Sequence, residues 1–178
     1  MTRQQVYFDD ITVGQTIPEI VKGPMTNSHV MRWSAAIENW HRIHYDKAYA
    51  VEHDHLPDVM VNGSWKQHVL MQLLKDWSEP DGWAWKVNFQ FRDMDIPGDV
   101  ITAWGRVTKK TESSGLGYVE LDIGLRNSRG VESTKGNAVV VLPRRGSARV
   151  PYPFSADAAA ASEWPQGLAQ GLVIRNRM

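Results

Sequence analysis

The sequence predicts an α+β domain in which a curved antiparallel sheet covers one central helix, and three observations predict it. Between residues 83 and 142 four stretches of strand pattern, 83–92, 100–111, 117–127 and 132–142, follow one another with only short turns between them. Those turns, Ile96-Pro97-Gly98-Asp99, Ser113-Ser114-Gly115 and Ser128-Arg129-Gly130, are built from the residues that reverse a chain, and strands joined so tightly pair antiparallel. Just upstream, Val69, Leu70, Leu73, Leu74 and Trp77 recur at i, i+3 and i+4, the stripe of a helix with one buried face over residues 65–77. A sheet with an apolar face has to bury it, and this helix is the available cover.

The earlier elements read in order. Residues 8–13 form a lead-in segment and 17–25 a first strand, interrupted by Gly14 and ended by Gly23-Pro24. Thr26, Asn27 and Ser28 are good helix caps, and Val30, Trp33, Ala36 and Ile37 follow at helical spacing. Residues 47–53 suggest a further helical turn, and Leu56-Pro57-Asp58 a loop. Asn62-Gly63-Ser64 opens the central helix, with Asn62 or Ser64 able to cap it.

The composition excludes several classes. With 178 residues and 42% hydrophobic content, the chain suits one domain with a sizeable core and some residues over. Lysine plus arginine equals aspartate plus glutamate, 20 each, which argues against a nucleic-acid surface. Cysteine is absent, so disulfides, thiolate metal sites and thiol nucleophiles are excluded together. The first ten residues lack the apolar core of a signal peptide, and no apolar run approaches a membrane span. A soluble cytoplasmic protein is the expectation, with neither nucleic acid nor membrane as a partner. His53 and His55 lie close together, but their spacing matches no known ligand set, and no metal is expected.

The chemistry concentrates in Glu38-Asn39-Trp40-His41-Arg42-Ile43-His44-Tyr45-Asp46, where two imidazoles, an amide and two carboxylates gather. In one unbroken helix Asn39 and His44 would point about 140° apart at roughly 100° per residue. A helix that ends near Trp40 and turns sharply, with Ile43 anchoring the turn to the core, lets both side chains reach one pocket.

The pattern Asn39-x-His41-Arg42-Ile43-His44-x-Asp46, followed by Ala48 and Ala50, resembles the hydratase motif of the MaoC-like, (R)-specific enoyl-CoA hydratases, which have the hot-dog fold. In that family the motif begins with Asp, carries Asn-Pro in its middle and ends with His. His44 matches the family's His, Asn39 stands where the family has Asp, and His41 and Arg42 stand in place of Asn-Pro. The resemblance covers about residues 7–143, and the Asn62-Gly63 helix start and the Ile96-Pro97-Gly98-Asp99 turn add to it. It implies a hot-dog domain over 1–143. It also implies reversible addition of water to a 2-enoyl thioester, with coenzyme A as part of the substrate or an acyl carrier protein in its place, and no further cofactor.

The resemblance assigns catalytic roles to Asn39, His44 and Gly63, and substrate contacts to His41, Asn62, Ser64 and Trp65. The amides of Gly63 and Ser64 would polarise the thioester carbonyl, since a helix N-terminus offers free N–H groups and partial positive charge. His44 can take and return a proton near neutral pH, whereas Asn39 can hold a water but cannot titrate. Proton transfer then rests on His44, with His41, Glu38 or Asp46 as helpers. The resemblance also implies a paired hot-dog unit, a homodimer or a heteromer with a related subunit. Two other readings stand beside the hydratase: a non-catalytic or half-catalytic subunit of a heteromeric hydratase, motivated by the amide at Asn39, and a hot-dog thioesterase, which needs a carboxylate aimed at water.

Residues 144–178 change character, with Arg144, Arg145 and Arg149 followed by Pro151, Pro153 and an alanine run. They read as an extension that packs as an arm on a partner subunit or stays mobile, and the alternative is that the arginines meet coenzyme A phosphates. Among the eight tryptophans, Trp65, Trp77, Trp83, Trp85 and Trp104 are either pocket walls for a bulky flat acyl group, of fatty or steroid-like kind, or core and interface residues.

Overall fold

The computed structural model describes residues 5–147 and 150–151. A short 3-10 turn at Phe8–Asp10 leads into β1 (Thr16–Lys22) and α1 (Asn27–Ala36). After an irregular crossing come α2 (Gly63–Ser78), β2 (Trp83–Phe91), β3 (Ile101–Ser113), β4 (Leu116–Asn127) and β5 (Glu132–Leu142). The strands form one antiparallel sheet in the order β1-β3-β4-β5-β2.

The helix α2 contacts all five strands. It buries Val69, Leu70, Leu73, Leu74 and Trp77 against them, the stripe that its sequence spacing predicts. The sheet answers with Ile101, Ala103, Val119, Leu121, Ile123, Leu125, Ala138, Val140 and Leu142, all at most 1% exposed. A single helix wrapped by a curved antiparallel sheet is the hot-dog fold. On the far side of β4 and β5 a smaller cluster of Tyr118, Val139 and Val141 is closed by Val150, whose N–H donates to the Asp81 carbonyl at 2.9 Å.

Two expectations about helix ends are corrected. The first helix stops at Ala36 rather than near Trp40. Its last carbonyls, those of Trp33, Ala35 and Ser34, are taken by the N–H groups of Ile37, Glu38 and Asn39, and Glu38 sits at φ 53°, the left-handed conformation that ends helices. Neither Asn62 nor Ser64 caps α2 with its side chain: Asn62 holds the N-cap position without a cap bond, because both side chains are used elsewhere. At α1, by contrast, Thr26 forms a capping box with His29.

The extension begins on the body of the domain. Arg144 pairs with Asp9 and Glu112, and Arg145 forks onto Asp10 at 2.7 and 2.8 Å. The Arg144 and Arg145 guanidiniums of the coenzyme A alternative are thus engaged by carboxylates of this chain. Arg149, Pro153 and the alanine run of the expected arm lie outside the described residues.

Candidate active site

Past Glu38 the chain runs extended to His41, which caps a 3-10 turn at Arg42–His44. Short-range contacts shape this loop. The Asn39 side-chain oxygen accepts from the His41 N–H at 3.2 Å, and Asp46 accepts from Arg42 Nη2 at 2.7 Å and from the Tyr49 N–H at 3.0 Å. The last contact caps the helical turn over residues 47–53, which closes as a π-helix at Tyr49–His53. Ile43 is half-buried and lies outside the core clusters, so it does not anchor the turn by its side chain as expected. Its carbonyl does so, accepting from the Met60 N–H at 2.9 Å.

His44 is the buried member of the loop, at 7% exposure. Its Nδ1 lies 2.8 Å from the Met60 carbonyl oxygen. A carbonyl only accepts, so in the neutral ring Nδ1 carries the hydrogen and Nε2 is the basic nitrogen. Burial pushes the imidazole pKa below its ordinary value, outweighing the Met60 contact, which raises it. The His41 ring stands 6.2 Å away, edge-on. No hydrogen bond joins Asn39 to His44 among the described residues; the two meet only through His41.

Met60 is three residues before Gly63, so the carbonyl that orients His44 belongs to the segment that starts α2. Asn62, 1% exposed, is engaged with the buried Ser34 hydroxyl, with Nδ2 to Oγ at 3.1 Å, which ties the same segment to α1. Ser64 Oγ accepts from Trp33 Nε1 at 2.9 Å. With both side chains committed, the helix start is presented through its backbone. The Trp65 and Lys66 N–H groups close on the Asn62 carbonyl at 3.1 and 3.2 Å, while those of Gly63 and Ser64 belong to the first turn, which has no carbonyl behind it. A Cβ at position 63 would lie 2.8 Å from the Phe91 ring, so a larger residue there fits only if that exposed ring moves aside.

The helix start also rests on residues that the sequence reading did not single out. Lys66, 3% exposed, donates to the Asp93 carbonyl and pairs with Asp95 Oδ2, both at 2.7 Å. Asp95, fully buried, accepts in addition from Asn127 Nδ2 at 2.9 Å and from the Ser133 hydroxyl, and its carbonyl receives the Val61 N–H at 2.8 Å. Next to it, the turn at Ile96-Pro97-Gly98-Asp99 closes on Asp99, which accepts from Ile96 N–H and Arg129 Nε at 2.9 Å each. The one signal in the sequence was position: Asp95 adjoins that turn, and Lys66 falls on the apolar face of α2.

A cavity of about 320 Å³ opens between the end of β1, α1 and Trp65. Of the five tryptophans considered as pocket walls, only Trp65 lines it, joined by Trp33. Trp77 is buried in the core, Trp85 packs edge-on against Tyr118 at 5.8 Å, and Trp83 borders a separate groove. Trp104 lies over Gly124. Among the described residues no cluster of three or more metal-ligating side chains occurs, and no helix is long and apolar enough to cross a membrane.

Comparison with known proteins places this arrangement. Residues 13–97, just under half of the chain, match the family model of hydroxyacyl-thioester dehydratase type 2. No curated protein matches. Solved structures superpose over most of the chain. The (R)-hydratase from A. caviae involved in PHA biosynthesis aligns with TM-score 0.66 at 23% identity, over 75% of this chain and 98% of its own. The MaoC-like dehydratase from Rhodospirillum rubrum gives 0.68 at 18%, over 79% and 98%. The ChsH1-ChsH2 complex from Mycobacterium tuberculosis gives 0.63 at 19%, over 74% and 98%. At these identities the superpositions establish the fold, and the family match covers both the His44 loop and the start of α2: the chain is a hot-dog protein whose residues 13–97 match the hydroxyacyl-thioester dehydratases.

Proposed function

We propose that the protein catalyses the reversible addition of water to a 2-enoyl thioester, with coenzyme A or an acyl carrier protein as the carrier. The observation that carries this reading is the Met60 carbonyl on His44 Nδ1, which makes Nε2 the basic nitrogen of a buried, neutral imidazole bonded to the segment that leads into α2. In the hydration direction Nε2 takes a proton from water as the oxygen bonds to the β-carbon. The electron pair of the double bond moves onto the thioester oxygen, and the Gly63 and Ser64 N–H groups stabilise that enolate. The imidazolium then returns the proton to the α-carbon, so one water is added and nothing is left over. No other group need titrate, which suits a site with an amide at position 39.

Asn39 would hold the attacking water through its amide, with His41 beside it, while Asn62 and Trp65 shape the carbonyl end. Asp46 is poorly placed to replace the missing carboxylate, because the Tyr49 N–H and Arg42 hold it ionised, with its pKa below the ordinary value. The same fact weighs against a thioesterase, which needs a carboxylate free to activate water.

A second reading keeps a specific observation behind it. The Asn39 oxygen is already used by the His41 N–H, so the loop is organised around the amide as a structural element. That favours a subunit that shapes the pocket while a related partner supplies an intact Asp and His. Assay of the isolated protein separates the two: turnover without a partner supports the self-sufficient hydratase, whereas no turnover alone, gained about ten-fold or more on Asn39→Asp or on adding a related hot-dog subunit, supports the partner-dependent reading. A dimer, with itself or with a relative, is expected in either case and is checked by mass in solution.

A further inference from the structure

The cavity beside the helix start has two flat walls and two unmatched cations. Trp33 and Trp65 supply aromatic surface, Met25 and Ala36 add aliphatic surface, and Lys22 and Arg32 line the same space with no carboxylate among the lining residues. Neither cation has an ion-pair partner among the described residues, unlike Arg42, Arg129, Arg144 and Arg145. His29 also lines the cavity, but its Nδ1 accepts from the Thr26 N–H at 3.1 Å and is committed to capping α1. The Trp33 ring is fixed in place by its bond to Ser64 Oγ and by the His68 ring at 5.2 Å, so the wall is already formed before any ligand arrives.

We propose that this cavity selects the acyl group, favouring a planar ring that carries an anionic substituent such as a carboxylate; the proposal rests on the thioester reading of the Gly63 and Ser64 amides. Trp33 is bonded to the very residue whose amide would receive the thioester carbonyl, and Trp65 follows it in the chain. A group held between these rings is therefore attached close to that carbonyl. The nucleotide of coenzyme A also joins a flat ring to phosphates, but it lies at the far end of the carrier from the thioester. About 320 Å³ is at the small end of ligand pockets, which fits one or two rings better than a long chain. Offset or edge contact with two indoles favours a ring over an aliphatic chain of similar size, and Lys22 and Arg32 select for negative charge.

The test uses saturated thioesters, which bind but cannot be hydrated: butyryl-CoA, 3-phenylpropionyl-CoA and 3-(4-carboxyphenyl)propionyl-CoA, titrated calorimetrically into the full-length protein. The phenyl compound should bind about ten-fold more tightly than butyryl-CoA, and the carboxylate should add roughly three-fold at low salt. Trp65→Leu should remove the ring preference, and Arg32→Gln only the carboxylate preference. Equal binding of all three compounds would overturn the proposal, as it would if a second copy of the chain closes the cavity. A Trp65→Leu variant that weakens free coenzyme A as much as the phenyl compound would also overturn it, placing the carrier there instead. Hydration of a short enoyl-CoA is measured in parallel. If it proceeds while ring preference is absent, only the cavity assignment falls; if ring preference is present without hydration, only the catalytic reading falls.

Discussion

The two halves of the candidate site are built in opposite ways. The loop half, Asn39 to Asp46, is made of contacts between residues two to five apart, largely exposed, and hangs on the body of the domain by the reciprocal pair of bonds to Met60. The helix half is held from beneath by Lys66 and Asp95, both nearly or fully buried, whose partners Asn127 and Ser133 come from the far end of the sheet. A local turn can be altered without unfolding the protein, whereas a buried charge left alone cannot be tolerated. Stability and the proposed chemistry thus fall to different residues, which meet at Met60-Val61-Asn62.

The largest effect should come from the helix half. Asp95→Ala leaves Lys66 charged, buried and unpaired, and should destabilise the fold by about 3–5 kcal/mol, measured by urea denaturation. A loss below 1 kcal/mol would mean that the helix start does not depend on this network. Replacing both Lys66 and Asp95 by apolar residues should recover much of the loss, since the penalty belongs to the orphaned charge more than to the pair.

The loop half should respond to pH through His44. Its folded pKa lies below the ordinary value near 6.5 because burial disfavours the charged ring. The group is therefore neutral in the folded protein at pH 7. Hydration should be flat above about pH 6.5 and fall about ten-fold per unit once pH drops below the depressed pKa. The unfolded chain binds the proton first as pH falls, so the stability that His44 contributes is also present above pH 6.5 and declines as pH falls through the folded pKa. A rate that still rises between pH 7 and 8 would place another group in control. At the small end, Arg42→Ala removes an exposed pair with Asp46, and no measurable change in melting temperature is expected; a marked loss would show that the loop depends on this contact more than its exposure implies.

Periodic elements were legible from the residues alone. The α2 stripe, the four strands and their turns follow from spacing and turn chemistry, because one buried face imposes a regular pattern. The end of α1 was misplaced since no glycine marks it: Glu38 takes the left-handed position itself. The caps at Asn62 and Ser64 were misread for a related reason. Those residue types do favour caps, but long-range partners, Ser34 and Trp33, claim their side chains, and nothing local announces that. Lys66 and Asp95 are far apart in sequence and individually look like solvated charges, so their pairing is visible only in three dimensions. Met60 acts through its carbonyl, which no side-chain pattern reveals.

On the proposed reading, a neutral His44 oriented by the Met60 carbonyl adds water to an enoyl thioester. The most direct measurement incubates the purified protein with a panel of short, branched and ring-bearing enoyl-CoA thioesters and follows the gain of one water by mass spectrometry, with His44→Ala alongside. A gain is expected on at least one member, reduced at least about 10²-fold in the variant while the folded state is retained. A folded His44→Ala variant that hydrates as fast as the wild type would contradict that reading.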